Sequence, residues 1–138
     1  MLKEIYEQPR AIAETISGFG EDYVRGSEVL AGDGVVYVAA AGTSYHAALY
    51  FALLAMRLAR MKVIPFISSE YETYAYAATP SDVLLAISQS GETIDTLMAV
   101  RKFKERGRRV VSLTNVVGSV ISRESDVAVY MKAGPEIG

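Results

Sequence analysis

Two short polar segments of the chain have the residue types of a phosphate-binding site, and each directly follows an apolar run. The segments are Gly42-Thr43-Ser44, after the run 35–40, and Ser88-Gln89-Ser90-Gly91-Glu92-Thr93, after the run 83–87. Hydroxyl, amide and backbone N–H groups donate hydrogen bonds, and each hydrogen bond to a charged oxygen contributes about 1.5–3 kcal/mol. A ring of such neutral donors could hold a phosphate without a lysine or an arginine.

Both segments are predicted to open helices, near residues 45 and 93. Backbone N–H groups at a helix N-terminus have no partner inside the helix and lie at the positive end of its dipole, so they favour an anion. The alternative is that Thr43, Ser44, Ser90 and Thr93 only cap these helices, which would contribute about 1 kcal/mol each. A cap needs one side-chain oxygen, and the second segment supplies more than that, which favours phosphate binding.

Glu92 is the acidic residue of these segments. Its carboxylate suits a helix N-terminus but would repel a phosphate. We therefore expect the Glu92 side chain to face solvent or a hydrogen-bond donor away from the ligand.

Length and composition indicate a single α/β domain. The chain has 138 residues, of which 51% are hydrophobic, enough for one domain with a core and too few for two ordinary domains. With 14 basic and 16 acidic residues and no basic face, nucleic-acid binding is not expected. The chain has no cysteine and one histidine, so neither a disulfide nor a metal site is expected. We expect no cofactor, and no membrane segment or export signal, which makes the cytoplasm the expected compartment.

Strands and helices are predicted to alternate from residue 35 onward, after an N-terminal helical arm at residues 1–34. Gly18 and Gly20 mark a break in the arm. The predicted strands are 35–40, 63–67, 82–88, 109–114 and 127–131, and the predicted helices are 45–60, 69–76 (a short helix or turn), 93–106 and 118–124. Apolar runs without alternation predict strands covered on both faces, so we expect a five-stranded parallel sheet between two layers of helices. Both polar segments then lie at the carboxyl edge of that sheet, where open parallel sheets bind ligands.

Two helices are predicted to differ in how they are covered. The segment 45–61 is apolar on nearly all sides, so it needs a cover beyond the sheet, from a subunit or domain interface or from residues 2–30. The helix 93–106 is predicted to be an ordinary surface helix, with Ile94, Leu97, Met98 and Val100 facing inward.

Five motifs, in order, resemble the first sugar isomerase (SIS) domain in the isomerase part of the glutamine–fructose-6-phosphate aminotransferase family. They are Leu2-Lys3-Glu4-Ile5-Tyr6-Glu7-Gln8-Pro9, Gly42-Thr43-Ser44-Tyr45-His46-Ala47, Ser88-Gln89-Ser90-Gly91-Glu92-Thr93-Ile94-Asp95-Thr96-Leu97, Asn115-Val116-Val117-Gly118-Ser119 and Gly134-Pro135-Glu136-Ile137-Gly138. The resemblance implies a flavodoxin-like three-layer sandwich, with a SIS domain at residues 35–138. It also implies that Gly42, Thr43 and Ser44 contribute to a sugar site, while Ser88, Gln89, Ser90 and Thr93 hold its phosphate.

The chain also departs from that family. Ala41 stands where many members have a cysteine, which removes a thiol but leaves the backbone donors. The resemblance places the glutaminase cysteine in a separate domain, and the imine-forming lysine and proton-transferring glutamate in a second SIS half, none of which this chain contains. Glutamine-derived ammonia is therefore not expected from this chain.

No residue stands out as a catalytic base. Glu70 and Glu72 follow a strand, His46 lies one turn into a helix, and Lys132 lies near the end of the last strand. Glu136, after that strand, is an additional candidate for sugar binding. The catalytic residues stay unassigned.

The sequence predicts a hexose-phosphate-binding SIS domain of a ketose–aldose isomerase or aminotransferase of glucosamine-6-phosphate metabolism. Its expected ligand is fructose-6-phosphate or glucosamine-6-phosphate, and its expected partner is a second copy or a second SIS domain. The alternative is a sugar-phosphate sensor or binding module without catalysis, which would bind its ligand and not convert it.

Overall fold

The apolar runs of the chain form five strands of one parallel sheet. A computed structural model describes residues 2–135. The strands are β1 (Val35–Ala40), β2 (Lys62–Ile67), β3 (Val83–Ser88), β4 (Arg109–Thr114) and β5 (Val127–Tyr130). They pair in parallel in the order β2-β1-β3-β4-β5. The predicted five-stranded parallel sheet is confirmed.

Helices cover both faces of this sheet. They are α1 (Leu2–Ser17), α2 (Glu21–Leu30), α3 (Thr43–Ala59), α4 (Tyr71–Ala77), α5 (Ile94–Glu105) and α6 (Val120–Glu124), with a 3-10 turn at Ser68–Glu70. One core lies between the sheet and α2 and α3, and the other lies between the sheet and α4, α5 and α6. The predicted three-layer sandwich is therefore confirmed, and the predicted break at Gly18 and Gly20 separates α1 from α2.

The direction of strand addition reverses between β1 and β3. The chain passes from β1 to β2 on one side, and then places β3 on the other side of β1, with Ala39 paired with Ala86. In open parallel sheets a crevice forms at such a reversal, outside the carboxyl ends of the strands. The segments 41–44 and 88–93 leave β1 and β3 at this point.

Helix α5 faces its core with a different stripe from the predicted one. Its buried residues are Thr96, Ala99, Val100 and Phe103, whereas Ile94 and Met98 are exposed. The expectation for Ile94 and Met98 was wrong because the polar Thr96 points inward. Its hydroxyl lies 2.8 Å from the hydroxyl of Ser68, and both residues are fully buried.

Helix α3 packs on the sheet through small residues. Ala48, Ala52 and Ala55 are buried, and this spacing places them on one face of the helix. The large side chains Tyr50, Leu53 and Leu58 are 65%, 64% and 76% exposed. Residues 2–30 therefore do not cover this outer face, because these side chains stay exposed with α1 and α2 in place, and α2 packs on β4 and β5.

The N-terminal arm consists of two helices with different packing. Gly26 of α2 lies against Val129 and Val111, and the Tyr23 hydroxyl donates a 2.6 Å hydrogen bond to the Tyr130 carbonyl. No residue of α1 is buried. The domain boundary at residues 34 and 35 stays a prediction.

Two aspartates hold the amino edge of the sheet, opposite the polar segments. Asp82 precedes β3 and accepts a 2.7 Å hydrogen bond from the Val35 N–H, and Asp126 precedes β5 and accepts a 2.7 Å hydrogen bond from the Val110 N–H. Burial by itself would raise the pKa of the Asp82 carboxyl, but hydrogen bonds from Thr79 and Val35 and the nearby Arg108 charge outweigh burial and lower that pKa. Asp82 is therefore a buried carboxylate that stabilises the sheet.

No helix within residues 2–135 has the length and apolar character needed to cross a membrane.

Candidate phosphate-binding site

The segment 88–93 is organised around the Ser88 hydroxyl. Ser88 ends β3 and is 3% exposed. Its Oγ accepts a 3.0 Å hydrogen bond from the Gly91 N–H and lies 3.0 Å from the Thr93 hydroxyl. Because Ser88 is buried and Thr93 is half-buried, Ser88 is suited to support the turn, with Thr93 closer to solvent.

The other polar side chains of this segment lie nearer the surface. Gln89 and Ser90 are half-buried. The Ser90 Oγ accepts a 3.2 Å hydrogen bond from the Glu92 N–H, and the Gln89 carbonyl accepts a 3.0 Å hydrogen bond from the Asn115 N–H. These hydrogen bonds hold the backbone of the turn, one from the Ser90 side chain and one from Asn115, the residue after β4.

The hydroxyl residues of the two segments do not act as helix caps. Helix α3 begins at Thr43, two residues earlier than predicted, so Gly42 is the residue before the helix and Thr43 and Ser44 lie in its first turn. Thr93 before α5 makes no side-chain capping hydrogen bond, and Gly42 before α3 has no side chain to make one. In α3 the Tyr45 N–H donates a 3.1 Å hydrogen bond to the Gly42 carbonyl, whereas the N–H groups of Thr43 and Ser44 before it have no intrahelical partner. Capping alone does not account for these residues.

The Glu92 carboxylate faces a hydrogen-bond donor outside the segment 88–93, which is one of the two alternatives expected for it. Its Oε1 accepts a 2.9 Å hydrogen bond from the Val120 N–H, at the start of α6. The neighbouring Gly91 carbonyl accepts a 3.0 Å hydrogen bond from the Ile121 N–H. The start of α6 therefore donates two hydrogen bonds to the segment 88–93.

Gly91 lies against the same part of α6. Its φ is 67°, and a Cβ placed on it would lie 2.0 Å from the Ser119 Oγ. The Ser119 hydroxyl is buried and has no hydrogen-bond partner within residues 2–135. Only a residue without a side chain fits this close approach, so Gly91 is required by the packing as well as by the turn.

Asn115 was not among the predicted site residues, although it is the first residue of the family motif at 115–119. It follows β4, and its side chain accepts a 2.9 Å hydrogen bond from the Ala133 N–H and donates a 2.6 Å hydrogen bond to the Gly134 carbonyl. The available sequence signal was its position directly after a strand, at the same edge as Ser88.

The remaining candidates lie in different places. Glu70 and Glu72 are exposed after β2, and His46 is exposed in α3. The Lys132 backbone N–H donates a 3.0 Å hydrogen bond to the Thr15 hydroxyl of α1. Glu136 lies outside the described residues. None of these residues is assigned as a catalytic base.

A charged cavity lies elsewhere, between α1 and the segment 132–135. Its volume is about 330 Å³, and Glu7, Arg10 and Lys132 contribute to its lining. Its α1 side chains form exposed ion pairs along the helix, Lys3 with Glu7 and Arg10 with Glu14. Within residues 2–135, no group of three or more histidine or acidic side chains is arranged for a metal ion.

Known proteins similar to this chain share its fold and its sequence over almost its full length. The SIS domain family model matches residues 30–138. The glutamine–fructose-6-phosphate aminotransferases (isomerizing) of Pyrobaculum aerophilum and Aeropyrum pernix are 52% and 50% identical to it over 100% of this chain. A C-terminal domain of glucosamine-fructose-6-phosphate aminotransferase from Francisella tularensis has a TM-score of 0.84 at 33% identity, over 99% of this chain.

These relatives are longer than the chain. The chain spans 23% of the length of the two aminotransferases and 41% of the Francisella chain. The predicted resemblance is confirmed by the family match and by these identities. The chain belongs to the SIS domain family and is homologous to the SIS domains of the aminotransferase isomerase part.

Proposed function

We propose that this SIS domain binds the phosphate of a hexose phosphate, fructose-6-phosphate or glucosamine-6-phosphate, between the segments 41–44 and 88–93. The observation that carries the proposal is that α3 and α5 begin directly after the neighbouring strands β1 and β3, at the edge of the sheet where the strand order reverses. Both helix N-termini offer N–H groups to an anion. The segments contain no lysine or arginine, so neutral donors supply the hydrogen bonds.

The proposed roles follow from burial. If the buried Ser88 hydroxyl donates to the Thr93 oxygen, the Thr93 hydroxyl keeps its own hydrogen for a phosphate oxygen. Gln89 and Ser90 are half-buried and offer further donors. Gly42, Thr43 and Ser44 form the opposite wall, where their backbone and hydroxyl groups face the sugar.

The proposed context is a ketose–aldose isomerase or aminotransferase of glucosamine-6-phosphate metabolism. The similarity to the two archaeal aminotransferases supports this context. A sensor would bind fructose-6-phosphate without converting it, whereas the enzyme would convert it. An assay of fructose-6-phosphate turnover with ammonia, by the protein that contains this chain, therefore distinguishes the enzyme from the sensor. Since a dianionic sugar phosphate does not cross a bilayer unaided, we propose a cytoplasmic setting.

The test of binding is a titration of the ¹⁵N-labelled chain followed by NMR. Fructose-6-phosphate and inorganic phosphate should both shift the amide resonances of residues 42–44 and 88–93, whereas unphosphorylated fructose should not at the same concentration. Shifts confined to other residues, or no shifts with either phosphate compound, would contradict the proposal.

We also propose that a second SIS unit covers the outer face of α3. The exposed Tyr50, Leu53 and Leu58 are large apolar side chains on a helix that already buries its alanines against the sheet. Monomeric proteins rarely expose contiguous apolar patches of this kind. The resemblance implies two SIS domains in the isomerase, which makes another SIS domain the occupant that we expect.

A further inference from the structure

Helix α1 faces its own domain with polar and small residues. Its half-buried residues recur every three or four positions, which places them on one face of the helix: Glu4, Glu7, Ala11 and Thr15. The Thr15 hydroxyl accepts a 3.0 Å hydrogen bond from the Lys132 N–H, and the charged cavity lies between this face and the segment 132–135. No residue of α1 is buried. Helix α1 therefore adds no side chain to either core of the domain.

The apolar side chains of α1 point to solvent instead. They occur at steps of three and four residues in alternation, and we call them the α1 stripe: Leu2, Ile5, Pro9, Ile12 and Ile16. The exposed fraction of the leucine and the three isoleucines is between 51% and 67%. A stripe with this spacing is typical of a helix that packs along its length against another helix.

The charged side chains of α1 lie away from the α1 stripe. Two of the ion pairs that they form lie within the helix, Lys3 with Glu7 and Arg10 with Glu14. The residues that border the stripe on its two sides are uncharged: Tyr6, Gln8, Ala13 and Thr15. Charges at such bordering positions select the partner of a helix, and like charges there would keep identical helices apart. Two copies of α1 can therefore face each other without repulsion.

The exposed area of the α1 stripe is sufficient for a pair of copies. Together with the bordering Tyr6, which is 78% exposed, the stripe presents on the order of 600 Å² of side-chain surface, so two copies would bury about 1,200 Å², the size of a small specific interface. A contact of two identical patches is also what a twofold axis between copies requires.

We propose that two copies of this chain pair through their α1 stripes, helix against helix, about a twofold axis. This contact is separate from the proposed contact of α3. Helix α3 packs on β1 and β2 at one end of the sheet, whereas α1 contacts the segment that follows β5 at the other end. The pairing goes beyond sugar-phosphate binding and does not rest on it.

Sedimentation of the full 138-residue chain tests the pairing, in an L53E background so that α3 contributes no contact. The L53E chain should sediment as a dimer, because its α1 stripe is intact. Adding I16E should weaken this dimer about 10-fold or more, since a carboxylate would be buried in the contact without a partner. The matched control adds S17E, which places a carboxylate in the same last turn of α1 but off the stripe, and should leave the dimer within about 2-fold.

Disulfide cross-linking gives a second readout if I16E disturbs α1 itself. The chain has no cysteine, so introduced thiols can react only with each other. I5C/I12C places two thiols on the stripe and should yield disulfide-linked dimers on mild oxidation, whether the paired helices run parallel or antiparallel. K3C/R10C has the same seven-residue spacing at exposed positions off the stripe, and should yield about 5-fold less dimer under the same conditions.

The outcomes are independent of ligand binding. A monomeric L53E chain would overturn the pairing, because the α1 stripe is unchanged in it. Equal weakening by I16E and S17E, or equal cross-linking of the two cysteine variants, would overturn it as well. None of these results involves fructose-6-phosphate, so a failure of the pairing leaves the proposed function untouched, and a chain that binds no phosphate compound leaves the pairing untouched.

Discussion

The hydroxyl oxygens of Ser88 and Thr93 lie 3.0 Å apart, and the Ser88 oxygen also accepts the Gly91 N–H. Replacing Ser88 with alanine leaves the buried Gly91 N–H without an acceptor. We expect S88A to lower the free energy of unfolding by about 1–3 kcal/mol and to weaken phosphate binding about 5-fold, because Thr93 loses its support. Urea denaturation and phosphate titration measure the two effects.

The control for S88A is S27A. Ser27 is an exposed residue of α2 whose hydroxyl bonds to the Val24 carbonyl of the same helix. Its replacement should change stability by no more than about 0.5 kcal/mol. An S88A variant as stable as wild type, with full phosphate affinity, would show that Ser88 does not support the turn.

A side chain at Gly91 should be poorly tolerated. A Cβ there would lie 2.0 Å from the Ser119 Oγ, and the φ of 67° adds backbone strain. We expect G91A to lower the free energy of unfolding by about 3 kcal/mol or more, because the cost of the positive φ adds to the cost of overpacking. G107A has the strain without the clash, since nothing lies within 4 Å of its Cβ, and should lose about 1–2 kcal/mol. Thermal or urea unfolding of G91A and G107A measures the loss of stability in each variant. Equal losses in the two would contradict a steric clash at Gly91.

The Asp82 carboxylate should make stability depend on acid pH. Its pKa in the folded chain is lowered from the ordinary value of 3.8, so the unfolded chain takes up a proton more readily. The stabilisation is therefore present above that ordinary value and is lost as the pH falls through the folded pKa. D82N should be less stable than wild type at neutral pH by about 2 kcal/mol, because an amide accepts fewer of the hydrogen bonds from Val35 and Thr79.

Unfolding by urea at a series of pH values between neutrality and strong acid measures this effect. The difference between wild type and D82N should shrink as the pH falls below 3.8. A difference that stays constant or grows toward acid pH would rule out Asp82 as its source.

Glu92 offers a test of charge beside the proposed phosphate. E92Q keeps an oxygen that can accept from the Val120 N–H and removes a negative charge, so phosphate affinity should rise about 2-fold at low salt and less at high salt. E92A loses the acceptor and should bind phosphate more weakly than E92Q. Titrations at two ionic strengths measure this, and an E92Q variant that binds no better than E92A would contradict it.

The outer face of α3 should control association. L53E places a charge on a side chain that is 64% exposed, so it should not lower the stability of the isolated chain by more than about 0.5 kcal/mol. It should abolish assembly with a second SIS unit through α3, because burying an unpaired carboxylate is costly. Sedimentation measures the assembly, and Y76E, on the exposed surface of α4, is the matched control. Unchanged assembly in L53E would mean that α3 is not the contact.

Helix faces show where sequence patterns are insufficient. The run 45–61 is apolar on all sides, so periodicity alone could not tell that Ala48, Ala52 and Ala55 face the sheet while Leu53 and Leu58 point outward. In α5 the inward Thr96 depends on a hydroxyl partner, Ser68, which lies 28 residues away in the chain. Such partners are brought together only by the sheet.

The sequence by itself determined the five strands, their parallel arrangement and the two polar segments at their carboxyl edge, because hydrophobic periodicity and turn residues act over a few neighbouring positions. The tertiary structure decided how those segments are held: Ser88 inside the turn, Glu92 on the Val120 N–H, and Asn115 between Gln89 and Gly134. The physical reason is that the hydrogen bonds of Glu92 and Asn115 join residues whose proximity depends on strand order, and strand order is a property of the whole sheet, whereas the Ser88 bond to Gly91 is local but is buried by that sheet.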